Sequence, residues 1–281
     1  MSFVINKILK SYSSNNSSIN KKDIENCLLH IIGKTKTFLI STPEHKISKS
    51  EMESFKRSIK LLSDGLPLAY IIGNQDFYGY NYFVDSNVLI PRPETEIIIP
   101  EVLKQGDLLF EKNKKLKLID AGTGSGCIGL TIARERPNWD IILIDDSLES
   151  IKTLRKNYSK RVHSKCKIIA SDWLRGLKKN IADIIISNPP YIEYKSKHID
   201  ENVFRHEPHH ALFAHEKGLK DIQTLITQSK SILTKKGILF IENGFNQSRE
   251  IIKLLKQDYY EDIDIILDYN GIKRFTVSRN S

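Results

Sequence analysis

No apolar run in this chain approaches the ~20 residues that a helix needs to cross a bilayer. The N-terminal stretch MSFVINKILKSYSSNN has no long apolar core and no small-residue cleavage site, so a secretory leader is not expected. Cysteine is scarce: Cys27, Cys127 and Cys166 lie far apart, with no CxxC pair. That argues against a disulfide framework and a zinc site, and makes a reducing cytoplasm the expected location. There is no long run of one charge either. The net charge of +9 comes from scattered lysines, with short clusters such as Lys112–Lys117 and Lys235-Lys236 that read as solvated turns. An electropositive surface without direct nucleic-acid readout is expected, one that would suit an acidic protein or an RNA-containing complex as partner.

At 281 residues, 40% hydrophobic and 27% charged, the chain has the composition of an ordinary globular protein with room for one large core and a smaller domain. Periodicity divides it. Residues 1–75 read as three or four short helices. Asp23 is placed to cap a segment with Ile24, Cys27, Leu28, Ile31 and Ile32 on one face. Ser48 or Ser50 starts another, striped by Met52, Phe55, Ile59 and Leu62 and stopped at Gly65-Leu66-Pro67. Residues 76–90 are rich in aromatic and β-branched side chains around Gly79 and Asn81, a hairpin signal that reads as a linker. Residues 91–281 read as a further domain, and from Leu116 onward its strands and helices alternate. Strands are predicted at 116–120, 140–145, 167–170, 183–187, 237–242, 263–267 and 274–278, with helices between most of them. This is the pattern of an α/β, mostly parallel, doubly wound sheet. The last two strands are joined too briefly for a crossover and should pair antiparallel near an edge.

The strand ends carry the chemistry, because open α/β sheets bind ligands there. Gly122-Thr123-Gly124-Ser125-Gly126 follows the first strand as a tight, hydroxyl-lined loop through which the backbone can approach a ligand. No GK[ST] follows it, so it is not a P-loop. Asp145 ends the second strand, where a carboxylate can accept both ribose hydroxyls of an adenosine, with Asp146 beside it. After the third strand, Asp172 can accept from an adenine amino group while Trp173 packs on the ring. Three such loops without a phosphate clamp suit S-adenosylmethionine better than NAD or ATP. Asn188-Pro189-Pro190-Tyr191 follows the fourth strand. Two prolines there fix φ and remove N–H donors, leaving carbonyl oxygens and the Asn188 side chain to hold an amino group by its hydrogens. Such a grip points to methyl transfer onto a planar nitrogen.

FYG at 77–79, LIPRPETE at 89–96, DAGTGSG, Asp145, SDW and NPPYI occur in the order and spacing of HemK/PrmC-type methyltransferases, and the chain resembles that family over nearly its whole length. The resemblance implies a Rossmann-like class I S-adenosylmethionine-dependent methyltransferase sheet with a small N-terminal helical domain for substrate docking. It implies a reaction on the side-chain amide of the glutamine in the Gly-Gly-Gln motif of class 1 peptide chain release factors. Carried over, Gly122–Gly126, Asp145, Asp172, Trp173 and Asn188 would contact the cofactor. Asn188, Pro189, Pro190 and Tyr191 would line the glutamine pocket, with Asn188, Pro189 and Tyr191 acting on the reacting amide. No metal is implied. One departure is Arg205-His206-Glu207-Pro208, where the family usually has an aromatic residue before the Glu-Pro pair; the other is the second acid, Asp146. The rival reading is an amino-group methyltransferase acting on adenine or cytosine of DNA or RNA.

Overall fold

The computed structural model describes residues 3–15, 19–158, 165–194, 196 and 199–281. It divides into two compact units, Met1–Asn74 with Asp200–His206, and Gln75–Ile199 with Glu207–Ser281.

The first unit is helical: α1 (Ile5–Asn15), α2 (Lys21–Ile32), α3 (Lys36–Ser41), α4 (Lys49–Ser63) and α5 (Leu68–Ile72). The described residues up to Asn74 thus form five helices where three or four are predicted, because α3 and α5 are too short to carry a periodic signal. A two-stranded antiparallel ribbon, Phe3–Val4 with Lys46–Ile47, is also present. The cap of α2 is Asn20, whose side chain accepts from Lys22 N at 2.9 Å, rather than Asp23, which lies inside the first turn. At α4 the Ser48 hydroxyl accepts from Glu51 N at 3.2 Å, and Glu51 Oε2 accepts from Ser48 N at 2.6 Å, a reciprocal capping box. Ile24, Cys27 and Leu28 of α2 meet Met52, Phe55 and Ile59 of α4 in one buried cluster. The helix Glu201–His206, remote in sequence, belongs with this unit.

The second unit starts within a hairpin of two strands, Asn74–Phe77 and Tyr80–Phe83. Its two turn residues, Tyr78 (φ 49°) and Gly79 (φ 75°), are both left-handed, as a two-residue turn matching strand twist requires. Buried Tyr82 hydrogen-bonds through its hydroxyl to Thr131 Oγ1 at 2.7 Å. The prolines of IPRPETE lead through a short 3-10 turn, Pro93–Ile97, into α6 (Ile98–Asn113).

Seven strands then form the sheet: β1 (Lys117–Ala121), β2 (Asp140–Asp145), β3 (Lys165–Ala170), β4 (Ala182–Ser187), β5 (Leu233–Glu242), β6 (Tyr260–Leu267) and β7 (Lys273–Asn280). Between them run α7 (Cys127–Glu135), α8 (Leu148–Tyr158), α9 (Lys220–Ile232) and α10 (Ser248–Gln257). The spatial order is β6-β7-β5-β4-β1-β2-β3, parallel except for β7, which pairs antiparallel with β5 and β6. The apolar runs in β2, β4 and β5 are buried because helices cover both faces. Strand order reverses between β1 and β4, which opens a crevice at their carboxyl ends. There the buried Ser187 hydroxyl donates to the Ala121 carbonyl at 2.6 Å, tying the two strand ends together.

Gly106, inside α6, is where Trp139 packs: a Cβ at Gly106 would fall 2.1 Å from the indole Cη2. The Gly106→Ala protein is therefore expected to lose about 1–3 kcal/mol through overpacking, despite alanine's helix preference. A melting temperature equal to or above that of the parent would contradict this packing.

Candidate active site

Loops from the carboxyl ends of β1 to β4 and the IPRPETE segment line one cleft enclosing about 940 Å³, solvent at its mouth included. This lies within the usual size of small-molecule sites. Gly122, Thr123, Gly124, Ser125, Asp145, Trp173, Asn188 and Pro190 all line it.

The glycine loop is pinned from below. Asp120 Oδ2 accepts from Thr123 Oγ1 at 2.6 Å and from Gly129 N at 2.9 Å. Its Oδ1 is buried without a partner, and burial pushes the carboxyl up to about 6. Gly126 lies outside the cleft. It holds φ at 85° at the start of α7, where a Cβ would fall 2.4 Å from Leu154 Cδ1. The Asn157 side chain donates to Ser125 O at 2.8 Å and to Phe83 O at 2.9 Å, joining the loop to the hairpin.

Asp145 is 7% exposed, and burial raises its pKa. Its Oδ2 accepts from Gly124 N at 2.8 Å and its Oδ1 from Ser147 N at 3.0 Å. Each oxygen keeps a lone pair for a further donor, so a carboxylate fixed by the backbone can still take two hydroxyls. Asp146 lines the cleft beside it.

Asp172 is not in the cleft; it is exposed and ion-paired to Arg175 at 3.6 Å. The carboxylate that faces the cleft beside Trp173 is Asp221, at the start of α9, and it accepts from the indole. Trp173 has φ 51°, and its ring lies 3.4 Å from where a Gly122 Cβ would be. A tryptophan in left-handed backbone turns its side chain back over the glycine loop, while its neighbour Asp172 points away. Nothing in the local sequence marks Asp221, because it comes to Trp173 only through the packing of α9.

Among the described residues the Asn188 side chain has no hydrogen-bond partner, and it faces the cleft. The rest of its loop is held firmly. Pro189 is buried, and Gln247 Nε2 donates to Tyr191 O at 2.9 Å. A Cβ at Gly218 would fall 2.1 Å from that same carbonyl oxygen. Tyr191 lies behind the cleft, and its hydroxyl donates to Glu242 Oε1 at 3.3 Å. Glu242, at the end of β5, also accepts from Thr95 Oγ1 of IPRPETE at 2.7 Å. It thus connects two segments that border the cleft. His210 is exposed and also borders the cleft.

Burial pushes Glu242 from 4.5 up to about 7, against the opposing effects of Thr95, Arg274 and Tyr191. An acid whose pKa is raised by folding holds its proton longer in the native state. Its contribution to stability is complete below the unfolded pKa and is lost as pH rises through the folded value. The Glu242→Gln protein should therefore gain in melting temperature relative to the parent between about pH 5 and about pH 8. A difference that stays constant or shrinks over that range would contradict the assignment.

Among the described residues, no three His, Cys, Asp or Glu side chains group as metal ligands, and no helix is long and apolar enough to cross a membrane.

The sheet order, its single antiparallel strand and the glycine-loop cleft define a class I methyltransferase fold. A solved methyltransferase structure from Pyrococcus furiosus shares it, with a TM-score of 0.52 at 13% identity over 80% of this chain and 98% of that one. The family model described as "Methyltransferase small domain" matches residues 106–211, and "PrmC N-terminal domain" matches residues 7–73. Among curated relatives, the release factor glutamine methyltransferase of Coxiella burnetii is 34% identical over 98% of both chains. That of Francisella tularensis is 36% identical over 91% of this chain and 89% of its own, and that of Escherichia coli 30% identical over 92% of each. The chain belongs to the release factor glutamine methyltransferase family.

Proposed function

We propose that this protein transfers a methyl group from S-adenosylmethionine to the side-chain amide nitrogen of the glutamine in the Gly-Gly-Gln motif of class 1 peptide chain release factors. The observation that carries this reading is the Asn188 side chain, uncommitted and facing the cleft on a loop that Gln247 and Glu242 hold in place. Family membership adds the substrate: the relatives bear the name release factor glutamine methyltransferase.

The cofactor would lie along the cleft. Asp145 would take the ribose hydroxyls, the loop residues Gly122–Ser125 would lie beneath, and Trp173 with Asp221 would border the adenine. Bound there, the cofactor supplies an electrophilic methyl group on a sulfonium. An amide nitrogen is a poor nucleophile because its lone pair is delocalised, so the protein's task is alignment. Asn188 Oδ1 and the Pro189 carbonyl accept the two amide hydrogens and turn the lone pair toward the methyl group. The nitrogen would take the methyl group, with a neutral thioether as the leaving group, and would then lose one proton to water. Oxygens already in place stabilise the charge growing on that nitrogen more than they stabilise the ground state. Pro190 and Tyr191 shape the pocket around the amide, Tyr191 from behind.

The N-terminal helical unit, whose described residues carry no catalytic cluster, docks the protein substrate in this reading, with the hairpin region as linker. Cytoplasmic action goes with it, since all three cysteines are free thiols. Direct nucleic-acid binding is not part of it. The test incubates the protein and labelled S-adenosylmethionine with a release factor, its Gly-Gly-Gln→Gly-Gly-Ala variant, tRNA and DNA. Label on the first alone is the expected outcome, and label on nucleic acid overturns the reading.

A further inference from the structure

We infer that Arg92 binds the α-carboxylate of the cofactor's amino-acid half, an assignment that rests on the cofactor reading above. Among the described residues the cleft lining holds three carboxylates, Asp145, Asp146 and Asp221, and Arg92 is its sole arginine or lysine. S-adenosylmethionine pairs a neutral adenosine with an amino acid bearing a sulfonium, an ammonium and one carboxylate. That carboxylate needs a cation or free N–H donors, because an unpaired charge loses its solvation in a cleft. The glycine loop offers few: Thr123 N donates to Ile144 O, Gly124 N to Asp145, and Gly126 N to Thr123 O.

Arg92 stands at the right end of the cleft. Asp145 and Trp173 mark the adenosine end, at β2 and β3. Three residues after Arg92, Thr95 bonds Glu242, which bonds Tyr191 of the Asn188 loop. A ligand with its adenosine at β2 and its methyl group at Asn188 therefore extends its amino-acid half toward Arg92. His210, the other basic side chain in the lining, acts electrostatically on Asp145 and so belongs to the adenosine end.

The guanidinium is also preorganised. Its Nη2 donates to Glu207 Oε1 at 2.5 Å, and Glu207, 3% exposed, accepts from Ile90 N at 3.3 Å through its other oxygen. One corner of the fork is thus fixed, and the Arg92 side chain remains 33% exposed at the cleft wall. The remaining N–H groups suit a planar, two-oxygen acceptor, which a lysine could not match. The Glu-Pro pair at Glu207-Pro208 thereby acquires a role: it orients a cofactor-binding arginine.

Two ligands isolate this contact by titration calorimetry: S-adenosylhomocysteine, and 5′-methylthioadenosine, which keeps the adenosine and thioether but has no amino acid. Arg92→Met should weaken S-adenosylhomocysteine roughly ten- to hundredfold, as loss of charge-assisted hydrogen bonds does, and leave methylthioadenosine unchanged. Arg92→Lys should recover part of the loss. Because Arg92→Met strands the buried Glu207 carboxylate, the Arg92→Met/Glu207→Gln protein is measured alongside, with its melting curve. It should show the same selective loss. Equal weakening of both ligands, or of neither, overturns the assignment. A parent protein that binds neither ligand sinks the cofactor reading and this inference together, an outcome distinct from selective failure at Arg92.

Discussion

Replacing Asn188 with alanine is expected to lower turnover on the release factor by about 10²–10³-fold, or about 2.7–4 kcal/mol of transition-state stabilisation. The size follows from preorganisation. Gln247, Glu242 and the two prolines hold the loop whether or not Asn188 has a side chain, so the loss should concentrate in the chemical step rather than in folding. Single-turnover rates and melting curves of the two proteins separate these effects. An Asn188→Ala protein that binds cofactor and turns over at a near-parental rate would remove the side chain from the mechanism. Asn188→Asp would sharpen the result, because it keeps an acceptor oxygen at the Oδ1 position while losing the amide donors. If gripping the two amide hydrogens is the role of Asn188, the aspartate variant should exceed the alanine variant in rate.

The second large effect is expected at Asp145. Its two oxygens already accept Gly124 N and Ser147 N, which fixes the carboxylate plane at the cleft wall. Two ribose hydroxyls donating to a partly desolvated carboxylate should contribute well over 1 kcal/mol each. Asp145→Ala is therefore expected to weaken S-adenosylhomocysteine on the order of 100-fold, about 2.7 kcal/mol. Adenine or 2′,3′-dideoxyadenosine, which lack those hydroxyls, should lose far less between the two proteins. If all these ligands weaken equally, Asp145 is acting through the shape of the glycine loop and not through the ribose.

Residues speaking for themselves at short range were legible in the sequence. β2 and the helices around Ile24 and Met52 follow from periodicity, and the turn at Tyr78-Gly79 follows from a glycine where the backbone must be left-handed. Asp145 could be read as a site residue because the end of an isoleucine strand is a fixed place in any such sheet. Local pattern misled where the backbone turned unexpectedly. Asp172 and Trp173 are neighbours, yet the left-handed φ at Trp173 sends one side chain over the glycine loop and leaves the other in solvent. Capping failed in the same way at Asp23, where Asn20 lay closer to the first free N–H.

By itself the sequence determined the kinds of loop at the strand ends: a glycine loop, a strand-end acid at Asp145, and a donor-poor Asn-Pro-Pro loop. These depend on φ restrictions and hydrogen-bonding inventories that belong to single residues. Tertiary structure alone decided the company they keep. Asp221 reaches Trp173, Glu242 joins Thr95 to Tyr191, and Glu207 steadies Arg92 across separations of 48 to 147 residues. Those pairings arise because a buried carboxylate must find donors wherever the packed chain brings them, and no local pattern records where that will be.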